Sequence, residues 1–172
     1  MLPAPMASSS DWNFCPRCGK ALSMADDADI ACTKECGWEL VEYPRVVVAA
    51  IVELGETIVL VRNKGWPETW FGLVAGFLEE GETPELGVLR KVKQEVGLSG
   101  EVTELLGAWP NFPRNQIMLV FHVAARGRVV AGDDVAGIKQ VPPEELRIAP
   151  LATGLAVSEW LRRRRERGPT SA

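Results

Sequence analysis

The chain has 172 residues, 47% of them apolar, and a formal net charge of −4. That size and apolar content are those of a compact soluble protein with one principal core. No apolar run is long enough to cross a bilayer as a helix, which excludes a helical membrane protein, and the acidic balance argues against nucleic acid as the main partner.

The first stretch, rich in Ser, Pro and Ala, predicts a flexible tail over residues 1–11; it lacks the basic start of a signal peptide. Residues 12–43 hold all four cysteines, as Cys15-Pro-Arg-Cys18-Gly and Cys32-Thr-Lys-Glu-Cys36-Gly, the pairs separated by thirteen residues. Each pair is followed by glycine, which permits the tight turn of a metal knuckle. Cys15, Cys18, Cys32 and Cys36 therefore predict a tetrahedral structural zinc site. Two disulfides are the competing reading, disfavoured because nothing marks the chain for secretion, so a reducing cytoplasmic compartment is expected.

Residues 44–167 predict one further domain, and 168–172 a loose end. Strands are expected at 46–52 and 58–62, joined by a turn at Gly55, and residues 71–77 lead into a loop with Gly76 and Gly81. Thr83-Pro84 supplies an N-cap and a first-turn proline, so a helix should start near Pro84 and end at Gly97. Leu86, Leu89, Val92 and Val96 recur at spacings of three and four and are assigned to its apolar face. Arg90, Lys91, Gln94 and Glu95 are assigned to the opposite, functional face. Strands at 101–107 and 117–125 and a helix at 151–165 complete the pattern. The helix carries Leu155, Trp160 and Leu161 and ends in the basic run Arg162 to Arg165. That run either meets nucleic-acid phosphates or, as favoured here, complements the helix dipole. His122, the only histidine, lies in an alternating strand and is read as a structural or wall residue.

Residues 76–98, GFLEEGETPELGVLRKVKQEVGL, resemble the signature of the Nudix family, with Gly76, Glu82, Arg90, Val92, Glu95, Gly97 and Leu98 in register. With the four-cysteine segment, Tyr43-Pro44-Arg45 and the stretch from Trp109 to Met118, the chain resembles the zinc-ribbon, NADH pyrophosphatase branch. The resemblance covers about residues 14–162. It implies an α/β/α sandwich with a mixed sheet, preceded by a small zinc ribbon, in a homodimer. It also implies cleavage of a phosphoanhydride in a dinucleotide-like molecule such as NADH, ADP-ribose or FAD, assisted by magnesium or manganese. Glu95 and the Ala75 carbonyl would then be metal ligands, and Glu82 would pair with Arg90 to brace the loop.

The chain departs from the pattern at Lys91 and Gln94, where family members place glutamates. A protonated lysine has donors only and cannot ligate metal; Gln94 keeps an oxygen but no charge. Two outcomes stay open: slow hydrolysis using Glu95 and neighbouring acids, or a non-catalytic module that binds a nucleotide derivative or a protein. Glu79 is the leading replacement acid, ahead of Glu80, Asp133 and Asp134, against the simpler reading of solvated loop acids. Lys91 is a candidate diphosphate contact. Trp109 and Phe112 are candidate base-stacking residues, Gln116 a base-edge reader and Trp70 a further substrate contact, each with packing as its alternative.

Overall fold

The computed structural model describes residues 13–24, 30–33, 36–40, 43–147 and 152–167. The tail expected over 1–11, the loose end at 168–172 and Leu151 lie outside these residues. The chain divides into two compact units, the first ending at Pro44 and the second starting at Arg45.

In the first unit β1 (Leu22–Met24), β2 (Ile30–Cys32) and β3 (Glu39–Leu40) form an antiparallel sheet in that order. The turn at the first cysteine pair is closed by the Gly19 amide donating to the Cys15 carbonyl at 2.8 Å. Gly19 and Gly37 both adopt positive φ, 70° and 75°.

The second unit is built on β4 (Arg45–Leu54), whose apolar run from Val47 to Val52 is buried on both faces. A strand covered on both sides reads as a continuous hydrophobic segment rather than an alternation. β4 pairs in parallel with β8 (Gln116–Arg126) along its whole length, and antiparallel with β5 (Thr57–Asn63) and β6 (Val74–Phe77) on its other side. β7 (Ser99–Asn111) pairs antiparallel with β8, and β9 (Val135–Val141) with β5, so the sheet is mixed. β9 was not among the predicted strands.

Helix α1 (Pro84–Val96) covers one face through a core of Val48, Val52, Val74, Phe121 and Val123 with its own Val88, Val92 and Val96. Helix α2 (Ala152–Arg167) covers the other through Ala156, Val157 and Trp160 against Ile51, Leu60 and Val120. The layers are helix, sheet, helix.

Three expectations need correcting. Leu86 is 60% exposed and Val88 takes the buried position, because the α1 stripe runs through 88, 92, 95 and 96. Glu95, assigned to the functional face opposite the apolar one, is on the buried side, only 5% exposed. Leu155 is likewise exposed, at 55%, and Trp160 anchors α2.

The polar residues of α2 serve its docking. His122 Nε2 meets Glu53 Oε2 at 2.8 Å, its Nδ1 meets the Thr103 hydroxyl at 2.6 Å, and Arg164 donates to Glu53 Oε1 at 2.6 Å. Burial lowers the His122 pKa against the opposing pull of Glu53. Arg163 pairs with Glu104 and Glu159, and Arg162 with Glu159 and Glu166. Arg162, Arg163 and Arg164 are thus committed to carboxylates of the same unit, and Arg165 donates to the Leu161 carbonyl.

Trp160, 3% exposed and 5.5 Å from the His122 ring, carries the largest apolar area of this contact. Trp160→Ala is expected to cost about 3–5 kcal/mol in denaturant unfolding. A loss below about 1 kcal/mol would show that α2 is not part of the cooperative core.

Candidate functional site

The loop between β6 and α1 is held by one guanidinium. Arg90 donates from Nε to Glu82 Oε2 at 3.0 Å and from Nη2 to Glu82 Oε1 at 2.5 Å, a bidentate fork. Nη2 also reaches the Phe77 carbonyl at 3.1 Å, while Nη1 reaches Gln94 Oε1 at 3.2 Å and lies 3.2 Å from Glu79 Oε1. Glu82 Oε1 in turn accepts from the Glu79 amide at 2.7 Å. One side chain therefore joins the last residue of β6, the loop acids Glu79 and Glu82, and the next turn of α1. The helix start is set by Thr83, whose hydroxyl accepts from the Leu86 amide at 3.3 Å, and its end by Gly97 at φ 71°.

Gly87, inside the helix, has a packing reason: a Cβ there would stand 2.8 Å from Glu82 Oε1 and 2.9 Å from Leu78 Cδ1. The usual helix penalty of glycine, about 1 kcal/mol relative to alanine, is accepted to let Glu82 lie against α1. The Arg90 hydrogen bonds, helped by the Glu79 amide, hold the Glu82 carboxyl down at about 2.

Beside this brace lies a second pair. Lys91 Nζ is 3.1 Å from Glu95 Oε1, and the Lys91 stem runs across Gly76, where any Cβ would collide with its Cε. Glu95 Oε2 is buried with no hydrogen-bond partner among the described residues. Burial raises the Glu95 pKa, opposed by Lys91 and by hydrogen bonding to the Ala75 backbone; Asp134 adds to the rise. Asp134 is delivered by the loop after β8, where the Gly132 amide donates to the Glu95 carbonyl at 3.0 Å. Of the candidate replacement acids, Glu79 is therefore tied to Arg90 and Asp134 acts electrostatically on Glu95. Glu80 lines a cleft of about 320 Å³ with Arg45, Phe77 and Glu79, the Arg45 guanidinium lying 3.5 Å above the Phe77 ring.

The aromatic candidates do not gather around Glu95. Trp109 is half-buried against the core on the α2 side, lining a cleft of about 490 Å³ with Leu106, Leu155 and Arg163. Gln116 Oε1 accepts from Asn111 Nδ2 at 3.0 Å and so fastens the β7–β8 turn. Phe112, 84% exposed in a short 3-10 turn, and Trp70, 64% exposed, present open ring faces. Sequence reasoning missed Gly87, Val88 and the Gly132 contact. Only the helical phase of Val88 with Val92 and Val96 carried a local signal.

In the first unit the four thiols converge, with all ligand atoms within 4.8 Å of one another. The Cys15 and Cys36 sulfurs are 3.7 Å apart and those of Cys18 and Cys32 3.4 Å. A zinc tetrahedron with arms of about 2.3 Å has edges of about 3.8 Å, whereas a disulfide brings sulfurs to about 2.05 Å. The cysteines are free and the donor set fits a tetrahedral metal. Burial, with the neighbouring thiols, pushes the Cys36 thiol up to about 11 in the metal-free cluster.

Residues 43–162 match the NUDIX domain family model. The chain belongs to the Nudix family. It is similar to proteins named NAD-capped RNA hydrolase NudC: 33% identical to that of Pseudomonas aeruginosa PAO1 over 126 residues, 70% of this chain and 44% of the relative. The identity to that of Mycobacterium tuberculosis H37Rv is 40% over 86 residues, 47% of this chain and 27% of the relative. The chain thus spans less than half the length of these curated relatives. Among solved structures, a NUDIX hydrolase from Nitrosomonas europaea superposes with a TM-score of 0.78 at 21% identity, covering 90% of this chain and 93% of that one.

A divalent ion of the magnesium type takes about six oxygens and is commonly held by carboxylates together with phosphate. Here Glu95 offers one unpartnered oxygen, its other oxygen is engaged by Lys91, Gln94 is turned to Arg90, and both Glu82 oxygens are spent on the brace. This donor set does not fit a resident divalent ion.

Two outcomes follow. Because the folded Glu82 pKa lies below its ordinary value, the brace adds stability above about pH 4.3 that is lost as pH falls towards about 2. In Glu82→Gln the thermal midpoint should fall less steeply between those pH values than in the native chain; an unchanged slope would remove the brace from the stability of this unit. In the cysteine unit, elemental analysis of metal-replete protein should give about one zinc per chain, four thiolates forming one closed tetrahedral site. Cys32→Ser should lose most of it. Native protein with under half a zinc per chain would count against the assignment.

Proposed function

We propose that the chain acts on a nucleotide derivative in which a nucleoside diphosphate is joined to a second moiety, of the NADH, ADP-ribose or FAD kind, and hydrolyses its phosphoanhydride at low efficiency. The observation that carries this reading is Glu95. A buried carboxylate with an unpartnered oxygen costs stability, and such groups are tolerated where they do chemistry. Family membership and the resemblance to the NudC proteins support the substrate class.

Hydrolysis requires water to attack phosphorus while the bridging P–O bond breaks and the proton of the water is taken up. Glu95 is the carboxylate proposed to receive that proton, and its burial favours the protonated form. Lys91 offsets charge gathering on the phosphoryl oxygens. Glu82, Arg90 and Glu79 keep the loop in place around them. Phe112 and Trp70 are proposed as the stacking surfaces for a base, with Trp109 and Gln116 supporting the turn between β7 and β8. The low efficiency follows from charge: lysine and glutamine in place of two glutamates leave the patch about three units more positive, short of the oxygens that would hold a metal. Zinc in the cysteine cluster is structural in this reading.

One observation favours a second reading, a non-catalytic module that binds the same ligand class. Lys91 sits on the one buried carboxylate among the described residues and blocks it as a base.

Hydrolysis of NADH, ADP-ribose and FAD with magnesium or manganese, by the native chain and by a Lys91→Glu/Gln94→Glu variant, separates the two. The hydrolase reading expects native turnover about 10²–10³-fold below that of the variant, the scale of losing one charge-stabilising group, and its abolition by Glu95→Gln. Turnover only in the variant selects the binding module. Silence in both rejects this substrate class.

A further inference from the structure

Lys91 is placed where a cation is needed. Glu95 is 5% exposed, Asp134 adds to the negative field around it, and a buried carboxylate requires a compensating positive charge. The Lys91 ammonium provides it at 3.1 Å. Room for the lysine stem exists because residue 76 has no side chain: a Cβ there would be 2.5 Å from Lys91 Cδ and 3.0 Å from Nζ. Gly76 and Lys91 therefore fit together as a pair.

Lys91 also has capacity left. An ammonium has three donors, and the contact found for it among the described residues is Glu95. Its side chain keeps 19% exposure, against 7% for that of Glu95. Of the other cations of the segment, Arg90 is spent on Glu82, Glu79, Gln94 and the Phe77 carbonyl, and Lys93 donates to the Gly97 carbonyl at 3.2 Å in the last turn of α1. A divalent ion would have to displace an ammonium that is tethered beside Glu95 and cannot diffuse away.

We propose that Lys91 is a built-in replacement for the divalent cation, so that the site binds a nucleoside-diphosphate ligand without magnesium or manganese, the ammonium meeting the phosphates. This rests on the reading that the loop and α1 form a diphosphate site, and it changes how that site recognises its ligand: affinity becomes independent of metal.

The test is calorimetric titration of the zinc-loaded full chain with ADP-ribose, with and without magnesium, on the native protein, Lys91→Met and Lys91→Arg. Thermal unfolding of each variant checks that it folds. The native affinity is expected to change less than about twofold between the two conditions, under 0.5 kcal/mol. Lys91→Met should bind at least about tenfold more weakly without magnesium and recover with it, and Lys91→Arg, which keeps the charge, should lose less affinity without magnesium than Lys91→Met. A native affinity that collapses without magnesium, or a Lys91→Met chain that binds like native without it, overturns the inference. If the native chain binds no ADP-ribose under either condition, the proposed function fails instead, and manganese paramagnetic resonance decides this point separately. No manganese on the native chain with uptake by Lys91→Met supports the replacement, and equal behaviour of the two overturns it.

Discussion

The architecture depends on the burial of β4 on both faces. Val47, Ala49 and Ile51 point to one helix layer and Val48, Ala50 and Val52 to the other, all nearly inaccessible to water. A strand in that position requires a neighbour on each edge and a cover on each face. β8 takes one edge for ten residues, while the other is shared by β6 near the start and β5 near the end. That sharing has a consequence for the site. Because β6 pairs with Val47 to Ala50 and stops at Phe77, the loop that follows emerges beside the beginning of β4, where the Leu78 amide still donates to the Val46 carbonyl at 3.1 Å. The loop is anchored to β4, paired on both edges and buried on both faces, at one end and to α1 at the other.

Between those anchors the loop contains Gly81 and the acids Glu79, Glu80 and Glu82, and would not hold a shape alone. Arg90 supplies the constraint by spending its donors on Glu82, the Phe77 carbonyl and Gln94. Charge-assisted forks of this kind are roughly twice as strong as neutral hydrogen bonds, and this one is half-shielded from water. Gln94 has a role in it: its amide oxygen accepts from Arg90, so its departure from glutamate leaves the brace connected while removing a charge from the surface.

How much of this could be read from the sequence varies with how local each cause is. The ends of α1 were legible because Thr83-Pro84 and Gly97 act on their own turns. The cysteine cluster was legible because four thiols at short spacings leave few arrangements. β4, β5 and β8 declared themselves by apolar runs. β9 did not, since only its end residues Val135 and Val141 are buried. On α1, Val92 and Val96 are buried and Leu89 packs against the same core as expected, but at the first turn Leu86 is exposed and Val88 takes the buried place, a choice composition alone does not make. Glu95 was assigned to the functional face opposite the apolar one, although its spacing from Val88 and Val92 puts it on the buried side. His122, Glu53 and Arg164 are brought together from distant parts of the chain, and no local pattern announces such a pairing.

The two departures from the family signature are therefore not equivalent. Gln94 belongs to the exposed brace, where a missing charge is easily replaced by water. Lys91 belongs to Glu95. Burial already raises the Glu95 pKa, so its ionisation opposes folding progressively as pH rises above the ordinary carboxylate range, and the ammonium is what limits that cost. Removing one partner of a buried pair costs about 3–5 kcal/mol because the other is left uncompensated. A glutamate at position 91 would add a second negative charge at the same place, and the site would then require a divalent ion simply to be stable. With lysine, loop and helix close over Glu95 without one. In the proposal made above, the residue that replaces the divalent ion is the same one that compensates the buried Glu95 carboxylate.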